Sequence, residues 1–196
     1  AEEHAKVLAS QPLYQDEALL AYVTEVGNRV AAASHRPDLE YTDTIIDSPA
    51  IDAMTLPGGY VYVNRGLLTF INTEAQLAAV IAHEIGHIAA RHAVQQQARG
   101  RLANVAAQVA GFVTAVATGS GYAGPQLSQV ASIWAQTGLS GFGRDMELEA
   151  DSLGAEYLLK AGYEPAAMID VVTVLKNQEH FNRRVSVSRG SYHALL

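Results

Sequence analysis

The stretch Thr73–Gln97, TEAQLAAVIAHEIGHIAARHAVQQQ, decides the fold, because a helical pattern runs through it and carries His83, Glu84 and His87 as His-Glu-Ile-Gly-His. Leu77, Val80, Ile81, Ile85 and Ile88 recur at helical spacing for a buried face, and Thr73 and Gln76 stand at the spacing of a capping box. One helix is therefore expected over the whole stretch. Histidines four residues apart lie about 40° apart around a helix axis, one turn above the other, so two ring nitrogens can converge on one metal ion. Glu84 cannot reach the same coordination point, but it can reach a water on the open side, which makes it the candidate general base. The competing reading is a core helix with two structural histidines. It would bury His and Glu side by side without a partner, at a cost in free energy. His92 lies about 140° around a continuous helix from His87 and so faces away from the metal; it is excluded as a ligand.

A mononuclear site needs a third ligand, and the chain contains no cysteine, so His and carboxylate must supply it. The acidic run Arg144–Asp151, RDMELEAD, opens a helical pattern that reaches about Ala161. Glu147 and Asp151 share a face at i, i+4, which lets Glu147 bind the metal while Asp151 accepts the second ring N–H of a ligand histidine, His83 by preference. The plainer reading of the same run is an acidic first turn stabilised by the helix dipole.

With both helices in view, the sequence resembles the M48 family of zinc metallopeptidases, which carry HExxH on one helix and ExxxD on a later one. The segment Ile51–Leu68, IDAMTLPGGYVYVNRGLL, is also similar to the family's Asn-Ala-Phe-x-Leu-Pro-Gly-Gly segment, with Asp52 and Met54 in place of the usual Asn and Phe. The resemblance is closest to the soluble bacterial envelope branch. It implies an α+β, zincin-like fold, mostly helical, with a small antiparallel or mixed sheet beside the HExxH helix. It further implies one zinc ion held by His83, His87 and Glu147, Glu84 as the catalytic base, and an endopeptidase acting on protein substrates in the periplasm or cell envelope, in protein quality control.

Composition sets the outer bounds. A length of 196 residues with 49% hydrophobic side chains suits one domain with a sizeable core. A net charge of -7 without long charged runs argues against nucleic acid and against electrostatic binding to anionic lipid. Residues 102–143 contain no Asp, Glu, Lys, Arg or His. Leu102–Thr118 reads as an apolar helix broken by Asn104, Gln108, Gly111 and Thr114, followed by a turn at Gly119–Gly124 and a second helix over Gln126–Thr137 with Trp134. A buried or self-packing hairpin near the mouth of the site is expected rather than a membrane span, with contact to membrane or apolar substrate as a further reading.

Along the rest of the chain, residues 3–10 and 16–34 read as helices that form a packing layer, and residues 40–47, 51–56 and 60–63 as short strands with a Pro57-Gly58-Gly59 turn between the last two. Another helix is expected from Pro165 to about Asn177. The segment Ile51, Asp52, Ala53, Met54, Thr55 and Leu56 is the expected substrate-binding edge, where an extended peptide adds as a strand. His193, Tyr192 and Arg144 are equal candidates for steadying an oxyanion; His180 in the tail is read as exposed, and Lys176, Arg183, Arg184 and Arg189 as a solvated basic patch. A rival function is a zinc-bound, chaperone-like assembly factor that holds clients with little turnover. A membrane-embedded prenyl-protein peptidase would need several spans that this sequence lacks.

Overall fold

A computed structural model describes residues 2–100, 143–174 and 177. In chain order these form α1 (Glu2–Ser10), α2 (Glu17–Ala32), β1 (Thr42–Ile46), β2 (Ala53–Leu56), β3 (Tyr60–Asn64), the single turn α3 (Arg65–Leu68), α4 (Glu74–Ala89) and α5 (Arg144–Lys160). Residues 92–100 and 166–174 are also helical. The architecture is α+β and mostly helical, with a three-stranded mixed sheet. The hairpin expected between Leu102 and Thr137, and the tail with Lys176, His180, Arg183, Arg184, Arg189, Tyr192 and His193, lie outside the described residues. Among the described residues no helix is long and apolar enough to cross a membrane.

α4 is the axis of the core. Almost every residue from Leu77 to Ile88 is buried, Glu84 and His87 included, the pattern of a helix enclosed on all sides rather than along one stripe. Its N-terminus is capped by Thr73, whose side chain accepts the Gln76 amide hydrogen at 3.2 Å. The reciprocal bond of a capping box lands one residue early, since Gln76 accepts from the amide of Asn72 at 2.8 Å. The helix does not run on to Gln97 as expected. It caps at Ala90, and Arg91 takes a left-handed φ of 59°. Such a residue ends an α-helix in the manner of a C′ glycine, at a cost of about 1–3 kcal/mol for a side chain with a Cβ.

α2 and α5 flank α4. Val23, Val26, Val30 and Ala31 of α2 face the core, and Asp16 caps that helix by accepting from the Leu19 amide at 2.9 Å. Arg29 joins the layers by donating to Glu74 at 3.0 Å and to the Tyr163 hydroxyl at 2.8 Å, while that hydroxyl donates to Glu74 at 2.7 Å. The α4–α5 crossing is close because glycine stands on both sides of it. A Cβ on Gly86 would lie 2.9 Å from the Ala150 carbonyl oxygen, and one on Gly154 would lie 3.1 Å from the His83 amide nitrogen. α1 is not part of the packing layer that its sequence suggests, for it has no buried residue. It is tied down by His4, which stacks on Tyr60 at 4.1 Å and hydrogen-bonds the Tyr62 hydroxyl at 2.6 Å.

The sheet runs β1-β3-β2, with β1 parallel and β2 antiparallel to β3. β3 is central and its Val61, Tyr62 and Val63 are buried, which suits β-branched and aromatic residues. Gly58 and Gly59 have φ of 104° and 94°, and a Cβ on Gly59 would meet the Glu40 carbonyl oxygen at 2.1 Å, so glycine is required in the β2–β3 turn. β2 forms one edge of the sheet and packs on α4.

One strand residue works against the fold. Asp43 of β1 is buried beneath α2, where among the described residues both carboxylate oxygens lack a hydrogen-bond partner and a Cβ on Gly27 would lie 2.7 Å from one of them. Burial pushes this carboxyl up to about 6 from 3.8. A raised folded-state pKa means that the native state holds the proton more tightly than the unfolded chain. The native state is thus favoured most below pH 4 and loses about 3 kcal/mol as pH climbs through 6. Asp43→Asn is isosteric and cannot ionise, so its melting temperature relative to wild type should rise progressively between pH 4 and 7. Parallel curves for the two proteins in a thermal scan across that range would show that Asp43 does not carry this penalty.

Candidate metal centre

α4 presents His83 and His87 to α5, and the glycine crossing brings Glu147, in the first turn of α5, against them. The two Nε2 atoms are 3.0 Å apart. Glu147 Oε2 lies 3.5 Å from His83 Nε2, and Oε1 lies 3.8 Å from His87 Nε2. Ligands at zinc distances in a tetrahedron stand about 3.3 Å apart, so the donor atoms of His83, His87 and Glu147, all within 4.8 Å of one another, fit a single ion of that size. The tautomer agrees. Asp151 Oδ1 accepts the Nδ1–H of His83 at 2.9 Å, which leaves the Nε2 lone pair facing the shared point. Burial first, then the charges of His83 and His92, hold the His87 imidazole down at about 3, so this ring offers a lone pair at neutral pH.

Glu84 sits beside this cluster without joining it, as its position on the helix requires. Burial pushes its carboxyl up to about 8; the charges of Asp52 and Glu147 add to the rise, while a hydrogen bond from the Thr55 side chain opposes it. Thr55 thus brings β2 close to Glu84. Asp52 therefore has an electrostatic consequence, since with Glu147 it sets a second acid near the candidate base.

A cavity of about 320 Å³ opens over His83, Glu84, Glu147 and Asp151, with Ile51, Asp52 and Ala53 along one wall and apolar Leu67, Val80 and Met168 among its floor. A second cavity of about 240 Å³ touches His87 and is bounded by Thr55, Leu56, Arg36 and Arg91. The segment 51–56 therefore passes along both, with the exception of Met54, which is 39% exposed. Only Ala53–Leu56 is regular strand. Arg144 is exposed one turn before Glu147, whereas Tyr192 and His193 lie outside the described residues.

His92 is not among the converging donors, but it does not face away from them as a continuous helix would require. Because the helix breaks at Arg91, the angle of a continuous helix does not apply, and His92 turns back beneath the end of α4. It is fully buried, with Nδ1 2.8 Å from His87 Nδ1 and Nε2 3.2 Å from Glu149 Oε2. No local signal in the sequence marks the break, for arginine is an unfavourable residue at a left-handed position.

Two histidines and a carboxylate converging on one point, with a glutamate beside them on the same helix, make the constellation of an HExxH metallohydrolase. The chain belongs to peptidase family M48, whose model matches residues 17–194. It is 32% identical over 88% of its length to a putative beta-barrel assembly-enhancing protease of Vibrio cholerae, covering 36% of that protein. The corresponding protease of Escherichia coli is 28% identical over 89% of the chain and 36% of its own length. A mitochondrial metalloendopeptidase of Schizosaccharomyces pombe is 34% identical over 74% of the chain and 41% of its own length. The chain thus spans little more than a third of the beta-barrel assembly-enhancing proteases that it matches.

Proposed function

We propose that this chain is the catalytic unit of a zinc-dependent endopeptidase that cleaves protein substrates in a bacterial envelope. The observation that carries the reading is the convergence of His83, His87 and Glu147 beside the buried carboxyl of Glu84, in a cavity bordered by an edge strand. His83, His87 and Glu147 would hold the ion, with Asp151 orienting His83. Zinc in such a site acidifies a water and polarises a carbonyl. Glu84 would take the proton from the attacking water and deliver it to the leaving amine, the two-way transfer of a positioned carboxylate. The envelope assignment draws on relatives named for enhancing beta-barrel assembly, because bacterial barrels of that kind reside in the outer membrane.

Substrate is held by β2. The pairing of the Asn64 amide with the Asp52 carbonyl, at 3.1 Å, sets the alternation of the antiparallel ladder. Met54 and Leu56 then bond to β3, while the backbone groups of Ala53 and Thr55 point to the open edge. An extended peptide pairing there would lay alternate side chains toward the two cavities. Thr55→Pro removes one outward donor and leaves the β3 ladder whole. Its kcat/KM on a peptide library should fall about 10–100-fold with zinc content unchanged, on the scale of one or two lost hydrogen bonds. Thr55→Val keeps the amide and serves as control for the bond to Glu84. Turnover equal to that of Thr55→Val in a folded, zinc-loaded Thr55→Pro protein would move the binding edge elsewhere; absence of peptide cleavage by the zinc-loaded wild type would sink the peptidase reading.

A further inference from the structure

Asp151 orients His83 directly, but the other ligand histidine is held by a longer chain of contacts. His87 Nδ1 meets His92 Nδ1 at 2.8 Å, and His92 Nε2 meets Glu149 Oε2 at 3.2 Å. His92 is fully buried and the Glu149 side chain is 56% exposed, so the chain runs from the donor cluster out to solvent. Hydrogen bonding gives it one direction. An ionised carboxylate only accepts, so His92 Nε2 must carry the proton. With a single ring proton on His92, Nδ1 is left as the acceptor. His87 Nδ1 must then donate, and the His87 lone pair is left on Nε2, the atom 3.0 Å from His83 Nε2.

We propose that His92 and Glu149 form a positioning relay that fixes the tautomer and ring orientation of His87 for metal binding. The proposal rests on the zinc reading of His83, His87 and Glu147. It also gives the strained turn a purpose. If Arg91 were right-handed, the helix would continue and carry His92 about 140° away from His87. The left-handed φ of 59° at Arg91 is what folds the ring back under the helix end. Conformations of this cost persist where the surrounding structure uses them. α5 then serves both ligand histidines, Asp151 acting on His83 and Glu149 acting on His87 through an inserted ring.

The test measures zinc affinity of the full chain by competition with a chromophoric chelator, and histidine tautomers by long-range nitrogen–proton NMR correlations on the zinc-loaded protein. His92→Phe keeps a ring of similar size and offers no acceptor; it should weaken zinc binding by about 10–100-fold, as loss of a hydrogen-bond partner to a ligand histidine does. His92→Asn, whose side-chain oxygen can accept from His87, should recover most of that loss. Glu149→Ala should weaken zinc binding less and shift the His92 proton toward Nδ1. Wild-type zinc affinity in folded His92→Phe would overturn the relay, and so would a His92 proton found on Nδ1 in the zinc-loaded wild type. If His92→Phe does not fold, Glu149→Ala decides, since its carboxylate is largely exposed: an unchanged affinity and tautomer there would also overturn it. A wild-type chain that binds no zinc would overturn the metal reading itself and the relay with it, which separates the two failures.

Discussion

Glu84→Gln should lower peptide hydrolysis by about 100- to 10,000-fold while the protein still binds one zinc per chain, as expected for removal of a positioned general base. Glutamine preserves the shape of the side chain but cannot take the proton. Stability should not suffer, because a buried carboxyl held up at about 8 by its surroundings is replaced by a neutral group. The ligand variants should behave differently. His83→Ala, His87→Ala and Glu147→Ala each remove a converging donor, so both metal and activity should be lost together. Metal content by atomic absorption and cleavage of a quenched peptide library separate the two classes. Equal zinc loss in Glu84→Gln would make Glu84 a ligand and end the division of labour argued above. A Glu84→Gln protein that keeps its cellular function without turnover would instead mark a zinc-bound holding factor.

The elements that bury a periodic face were legible in the sequence. α2 and α4 follow the apolar spacing of their residues, and the Pro57-Gly58-Gly59 turn announces the β2–β3 pair because only glycine tolerates its geometry. The convergence of His83 with His87 was legible for the same reason, since i, i+4 spacing on a helix is a statement about space. Tertiary facts were not. The parallel pairing of β1 with β3 depends on a crossover that has no local signature. Asp43 lies between Thr42 and Thr44 in β1, and nothing in those neighbours reveals that its carboxylate lacks a partner among the described residues. α1 has an amphipathic sequence, yet among the described residues nothing buries its face. His92 was missed because the helical angle assumes an unbroken helix, and an arginine gave no warning of the break. Each error comes from extending a local rule past the point where packing overrides it.

Gly86→Val should cost about 3 kcal/mol of stability, roughly 10 °C in melting temperature for a chain of this size, and weaken zinc binding as well. In an isolated helix the change would be mildly favourable, since valine is a better helix former than glycine. Any loss must therefore come from the crossing. There a Cβ would lie 2.9 Å from the Ala150 carbonyl oxygen and 3.1 Å from the Ala150 Cα, main-chain atoms that cannot swing aside as a side chain can. The two helices must part. Ala150 is flanked on α5 by Glu149 and Asp151, with Glu147 less than one turn away, so the displacement falls on all three carboxylates that face the histidines. A gap opened at this crossing lengthens the Glu147 contacts first, because they are already the widest in the donor set at 3.5 and 3.8 Å. Zinc affinity should thus drop even in the fraction that remains folded, which distinguishes this variant from a general core defect. A Gly86→Val protein with wild-type melting temperature and wild-type zinc affinity would show that the crossing has room to spare, and that the closeness of α4 and α5 is not what sets Glu147 at the metal.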